Sequence, residues 1–145
     1  MIQILEEMCY QQHRTRRVLA YGEVDGYKFV VLNLGTHPTA YVCAPQKHPI
    51  YRMKWKEIED KYENVFDSVH GGLTYADNTL DGDESYTPER GWWVGWDYAH
   101  CNDFAGYYVP SDGSLYSLKR WTVKEILNDV SEIIKELENV ERESR

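Results

Sequence analysis

Several absences bound this chain before any motif does. No run of about 18 apolar residues interrupts its 145 residues, which argues against a membrane-spanning helix. Glu6 and Glu7 stand where a signal peptide would carry basic and then apolar residues, so a soluble protein of the cell interior is expected. Cysteine is scarce: Cys9, Cys43 and Cys101 are odd in number and lack CxxC spacing. That pattern fits reduced thiols better than a disulfide framework, and no cysteine zinc site is written. No Walker-type phosphate loop, His-Asp metal signature, internal repeat or low-complexity tract is written, and no His-x-Thr or His-x-Ser pair is read as a phosphodiesterase signature. Positive charge is also short, with 16 Lys and Arg against 24 Asp and Glu, a net charge of -8 that repels a duplex phosphate backbone. Many of the basic residues lie in the first half, while Asp77, Asp81, Asp83, Glu84 and Glu89 crowd one later stretch.

What is present reads as a single α+β domain over residues 1–145, a length that buries a core without a disulfide or structural metal. Ile2, Leu5, Met8 and Cys9 recur at helical spacing, which suggests a short amphipathic helix, with a strand as the alternative. Two apolar, aromatic and β-branched runs, 17–23 and 27–34, flank Val24-Asp25-Gly26, and the Asp-Gly step predicts a tight hairpin. A third run over 40–44 stops at Pro45, completing an antiparallel meander. Trp55, Ile58 and Tyr62 define one face of a short covering helix over 54–62. Residues 65–66 and 69–76 are expected as a further strand region, 77–90 as a polar loop and 91–97 as an aromatic strand.

The clearest element is the last. Thr122-Val123-Lys124-Glu125 matches a capping box, after which Val123, Ile126, Leu127, Val130, Ile133, Ile134, Leu137 and Val140 form one apolar stripe. This long amphipathic helix is expected either to help form a homo-oligomer or to pack within the monomer, with residues 141–145 frayed.

The stretch Gly91 to Asp103 concentrates three of the five tryptophans beside a histidine and two carboxylates. On a strand, Trp93, Gly95 and Asp97 share a face opposite Trp92, Val94 and Trp96, and Gly95 leaves an opening between Trp93 and Asp97. Aromatic faces of this kind stack on nucleobases at about 1–3 kcal/mol per base. For any single Trp, burial in a core or interface is the plainer outcome. Asp97, His100 and Asp103, spaced by three, share a face if the chain turns helical, as a metal-ligand or acid/base set would require. The plainer alternative makes Asp97 a turn cap and His100 a core hydrogen-bonding group. His70, in His70-Gly71-Gly72-Leu73-Thr74-Tyr75, would supply a second imidazole, and the two stretches are expected to be partners across a sheet.

These two motifs, with the upstream Lys47-His48-Pro49-Ile50-Tyr51, resemble a group of small proteins encoded by tailed bacteriophages and prophages. The resemblance spans roughly positions 45 to 105 and the helical tail, and departs at Trp96 and Tyr98. It implies a phage context in the bacterial cytoplasm, where small counter-defence proteins sequester cyclic or ADP-ribose-derived nucleotide signals, usually as homo-oligomers. The expected ligand-binding set is His70, Gly71, Gly72, Thr74, Trp93, Trp96, Asp97, His100 and Asp103, with no catalytic residue, metal or cofactor assigned. The expected partner is a nucleotide-like small molecule, with neither a membrane nor duplex nucleic acid. The alternatives are a hydrolase or phosphodiesterase acting on such nucleotides and a direct inhibitor of a bacterial defence protein.

Overall fold

The computed structural model describes residues 1–9, 16–66, 71–80, 91–100, 103 and 118–144. Its centre is the meander that the turn chemistry predicts, formed by β2 (Arg17–Val24), β3 (Tyr27–Asn33) and β4 (Pro38–Ala44). Asp25 and Gly26, at φ 52° and 86°, make the β2–β3 turn. Two consecutive positive φ angles match the right-handed twist of the flanking strands, and the Asp-Gly pair tolerates them. Pro38 opens β4, a first-strand position that proline tolerates.

β6 (Trp92–Asp97) lies antiparallel beside β4, pairing Thr39 with Asp97 at one end and Ala44 with Trp92 at the other. β5 (Tyr75–Asp77) forms one edge and β1 (Ile2–Ile4) the other, giving the order β1-β2-β3-β4-β6-β5. The architecture is therefore α+β: among the described residues, an antiparallel six-stranded sheet with a short helix, α1 (Trp55–Lys61), and a long one, α2 (Val123–Glu143).

Four expectations change in detail. Residues Ile2–Ile4 form a strand, because pairing with Ala20, Tyr21 and Gly22 gives their amides partners that a single helical turn would not. Among the described residues of the expected strand region, 65–66 and 69–76, only Tyr75 and Ala76 join the sheet, in β5, which runs on to Asp77. Val65 instead donates its amide to Tyr62 O in the turn after α1, and residues 67–70 lie outside the described set. α2 continues through Glu143 rather than fraying from Glu141, whose carboxylate is held by Tyr27 Oη at 2.9 Å and Lys47 Nζ at 3.5 Å. Finally, of the two placements expected for the apolar stripe of α2, packing within the chain is seen, against β2, β3 and β4.

That helix starts where the capping box places it. The Thr122 hydroxyl accepts from Glu125 N at 3.2 Å, and the Glu125 carboxylate accepts from Thr122 N at 3.0 Å. Val123, Ile126, Val130, Ile133, Ile134, Leu137 and Val140 are then buried against Phe29, Val31, Val42 and Trp96. Burial of each such side chain contributes about 1.5–3 kcal/mol, so the stripe fastens helix to sheet. The opposite face of the sheet carries a second apolar cluster of Val30, Leu32, Tyr41, Cys43, Leu80 and Trp93. No helix among the described residues is long and apolar enough to cross a membrane. Cys9 and Cys43 are free and buried, and burial pushes the Cys9 thiol up to about 12.

His48 ties the chain after β4 to α2. Its Nε2–H donates to Leu137 O at 2.8 Å, while Nδ1 accepts from Ile50 N at 3.2 Å. Both nitrogens are thereby committed to the neutral ring, and burial lowers the imidazole below its ordinary range despite the Leu137 hydrogen bond and the Glu141 charge. A base lowered on folding contributes stability that is complete above its unfolded value of about 6.5 and is lost as pH falls through the window below it. The urea midpoint should therefore drop between pH 7.5 and 5.5. A His48→Gln variant should show a smaller drop, and an identical drop would remove His48 from the account.

Candidate functional site

The two motif stretches do meet. β5 pairs with β6, Thr74 N–H donates to Gly95 O at 3.0 Å, and Gly71 packs directly on the His100 ring. A Cβ on Gly71 would lie 2.1 Å from His100 Nε2, and φ there is 73°, so geometry and conformation both require glycine. Gly72, at φ 79°, sits under Glu59 of α1, whose carboxylate accepts from Leu73 N at 2.6 Å. The glycine pair thus bends the chain around one helix carboxylate and brings its backbone onto the imidazole. The Thr74 side chain is exposed and leaves the opposite side of the strand from Tyr75. His70 lies outside the described residues.

Asp97, His100 and Asp103 also come together, through a turn after β6 rather than a helix. Asp97 Oδ1 accepts from Ala99 N at 3.1 Å and lies 3.1 Å from His100 Nε2. Asp103 is buried, with Oδ2 accepting from His100 N at 3.1 Å and Oδ1 from Trp121 Nε1 at 2.9 Å. Both Asp103 oxygens thus hold the turn and fasten it to the residue preceding the α2 cap. Both oxygens of Asp103, an expected ligand residue, are thus engaged within the chain. Among the described residues no group of three or more His, Cys, Asp or Glu has the geometry of a metal site.

The tryptophans do not share a surface. Trp96 lies on the α2 side, 1% exposed, with its Nε1–H donating to Tyr98 Oη at 2.9 Å. Tyr98 Oη in turn donates to Asp129 Oδ2 at 2.7 Å, and burial together with Asp129 raises its pKa strongly. Trp93 belongs to the opposite cluster and is equally buried. The opening expected at Gly95 is occupied, since a Cβ there would fall 2.4 Å from Tyr41 Cδ1. Tyr41 lies across the glycine and meets Tyr75 edge to face at 5.4 Å, so neither Trp offers a free ring for stacking in this conformation.

What the turn does assemble is a polar end to the face opposite α2. Thr39 is the cross-strand partner of Asp97, and the Tyr98 N to Pro38 O hydrogen bond of 3.1 Å marks theirs as the closer, non-hydrogen-bonded kind of pair. The Thr39 hydroxyl is buried with no hydrogen-bond partner. Two residues earlier, His37 Nδ1 shares a 2.9 Å hydrogen bond with Thr36 Oγ1, which leaves Nε2 as the nitrogen not engaged by that contact. Burial lowers the His37 imidazole, Asp97 opposes that shift, and His100 adds to it.

His37 and Thr39 are the residues that the motif reading missed. The signal was present: His37-Pro38-Thr39 is a His-x-Thr tripeptide, which on a strand places imidazole and hydroxyl on one face. A second such tripeptide, His13-Arg14-Thr15, lies outside the described residues.

An unpartnered buried hydroxyl costs about 1–3 kcal/mol. Thr39→Val, which keeps the β-branched shape and the strand preference, should therefore stabilise the ligand-free protein by about 1–2 kcal/mol in urea unfolding. Destabilisation of that size would mean that the hydroxyl is satisfied. No family model matches the chain, and no curated protein or solved structure matches it at significance.

Proposed function

We propose that the protein binds a nucleotide-derived small molecule at the polar end formed by His37, Thr39, Asp97 and His100. The observation that carries this reading is the buried, unpartnered Thr39 hydroxyl beside the Asp97 carboxylate. Native interiors leave few such groups unsatisfied, and a ligand supplies the missing partner. Asp97 has a second oxygen beyond the one holding Ala99 and His100, suited to accept from a sugar hydroxyl. Thr39 can donate or accept beside it, and a protonated His37 would donate to a phosphate oxygen. In the phage setting that the sequence resemblance implies, such binding would sequester a cyclic oligonucleotide or cyclic ADP-ribose-type immune signal.

The His100 imidazole against Asp97, with His37 two residues before Asp97's cross-strand partner Thr39, favours one second reading, hydrolysis of a phosphodiester in the same ligands. One imidazole would take the proton of an attacking water while the other gives a proton to the leaving oxygen. A single experiment separates the readings. The protein is incubated with cyclic dinucleotides and cyclic ADP-ribose, freed of excess, denatured by heat, and the supernatant analysed by mass spectrometry. Release of intact compound supports sequestration, altered compound supports hydrolysis, and retention or alteration of none overturns both in favour of direct inhibition of a defence protein.

A further inference from the structure

Six of the seven large hydrophobic side chains exposed among the described residues gather at one place. Met1, Ile2, Ile4, Leu5 and Met8 lie on or just after β1, and Tyr21 is the β2 neighbour of Gln3. β1 is the outer strand of the sheet on this side, and within Ile2–Ile4 it carries no proline, lysine or bulge of the kind that protects a free edge. Leu5 N–H donates to Leu19 O at 2.7 Å and Glu23 N–H to Met1 O at 3.0 Å. Met1, Gln3 and Leu5 therefore direct their ladder groups to β2, and by alternation Ile2 and Ile4 point theirs away from the sheet.

The sequence of this edge says what fits it. Met1-Ile2-Gln3-Ile4-Leu5 is a palindrome in hydropathy about Gln3. If two copies pair antiparallel with a two-fold axis at Gln3, Ile2 faces Ile4 of the second copy, Met1 faces Leu5, and the two Gln3 amides face each other. The outward N–H and C=O groups of Ile2 meet those of Ile4 in the same register, which closes four backbone hydrogen bonds across the axis. Glu6, the first acid after the palindrome, is already paired with Arg17, so it adds no uncompensated charge.

We propose that β1 is a self-complementary edge through which two copies join their sheets into one twelve-stranded sheet. Covering this patch removes the largest concentration of exposed apolar side chains among the described residues. The proposal is independent of the ligand reading, since β1 and the polar end lie toward opposite edges of the sheet order.

Two measurements test it. Sedimentation equilibrium at micromolar concentration should give twice the chain mass for the wild type and the single-chain mass for the Ile2→Lys/Ile4→Lys variant, with circular dichroism confirming that the variant is folded. Oxidation of a Gln3→Cys variant should give a covalent dimer absent from the wild type and from Ile2→Cys. In the proposed register only position 3 faces itself, in a pair whose Cα atoms lie about 4.5 Å apart, within disulfide reach. A monomeric wild type, including one that pairs this edge only with an added peptide, overturns the proposal. So does cross-linking at position 2 in preference to position 3, a result that stands even if the lysine variant fails to fold.

Discussion

Trp96→Ala is expected to cost about 3–5 kcal/mol of folding stability, a large share of the roughly 5–15 kcal/mol typical of a domain. The indole is fully buried between the sheet and α2, so truncation leaves a cavity where strand and helix meet. It also removes the donor to Tyr98 Oη, one link of the Trp96–Tyr98–Asp129 chain that ties β6 to the middle of α2. Trp96→Phe helps separate the two contributions, since it keeps an aromatic ring in the core while removing the N–H together with the rest of the indole. Urea unfolding of both variants checks the result. A loss below about 1 kcal/mol for Trp96→Ala would place the ring outside the core, since surface substitutions rarely exceed that size.

The second large effect is on binding. Asp97→Ala should weaken the ligand by about 1.5–3 kcal/mol, or roughly 10- to 150-fold, because a charged acceptor is lost from a partly buried site. The same change frees the Ala99 amide and removes the carboxylate beside His100, so part of the loss comes from the turn itself. Asp97→Asn keeps an oxygen for Ala99 and removes only the charge. It should retain the fold and still bind less tightly, and calorimetric titration of the two variants divides the loss between charge and turn. Unchanged affinity in both would leave Asp97 as a turn cap only.

Much of the fold was legible because its signals are local. The Asp25-Gly26 turn, the stop at Pro45 and the Thr122–Glu125 capping box each act within a few residues, and each stands where the sequence places it. The period-2 alternation likewise sorted Trp93 from Trp92 and Trp96 onto opposite faces. What the sequence left open depends on distant partners. Ile2–Ile4 is a strand only because Ala20 to Gly22 lies beside it, and the α2 stripe finds its partner in β2, β3 and β4. The site shows the same division. The Asp97–His100 contact is local, made by the turn after β6, and the Gly71–His100 approach follows from pairing β5 with β6. The gap at Gly95, by contrast, is filled by Tyr41 from the neighbouring strand, which no spacing within 91–103 could reveal. His37 and Thr39 escaped for the opposite reason: their tripeptide is local, but its meaning depends on Asp97 lying across the ladder.

The central claim is that a nucleotide-derived ligand completes the hydrogen bonding of Thr39 and Asp97, and calorimetric titration of the wild type and Thr39→Val with cyclic dinucleotides and cyclic ADP-ribose tests it most directly. At least one compound should bind the wild type, and Thr39→Val should bind it about tenfold or more weakly while unfolding at higher urea concentration, since the valine removes a group that only the ligand satisfies. Binding of equal strength in the two proteins, or no binding of any compound to the wild type, would contradict it.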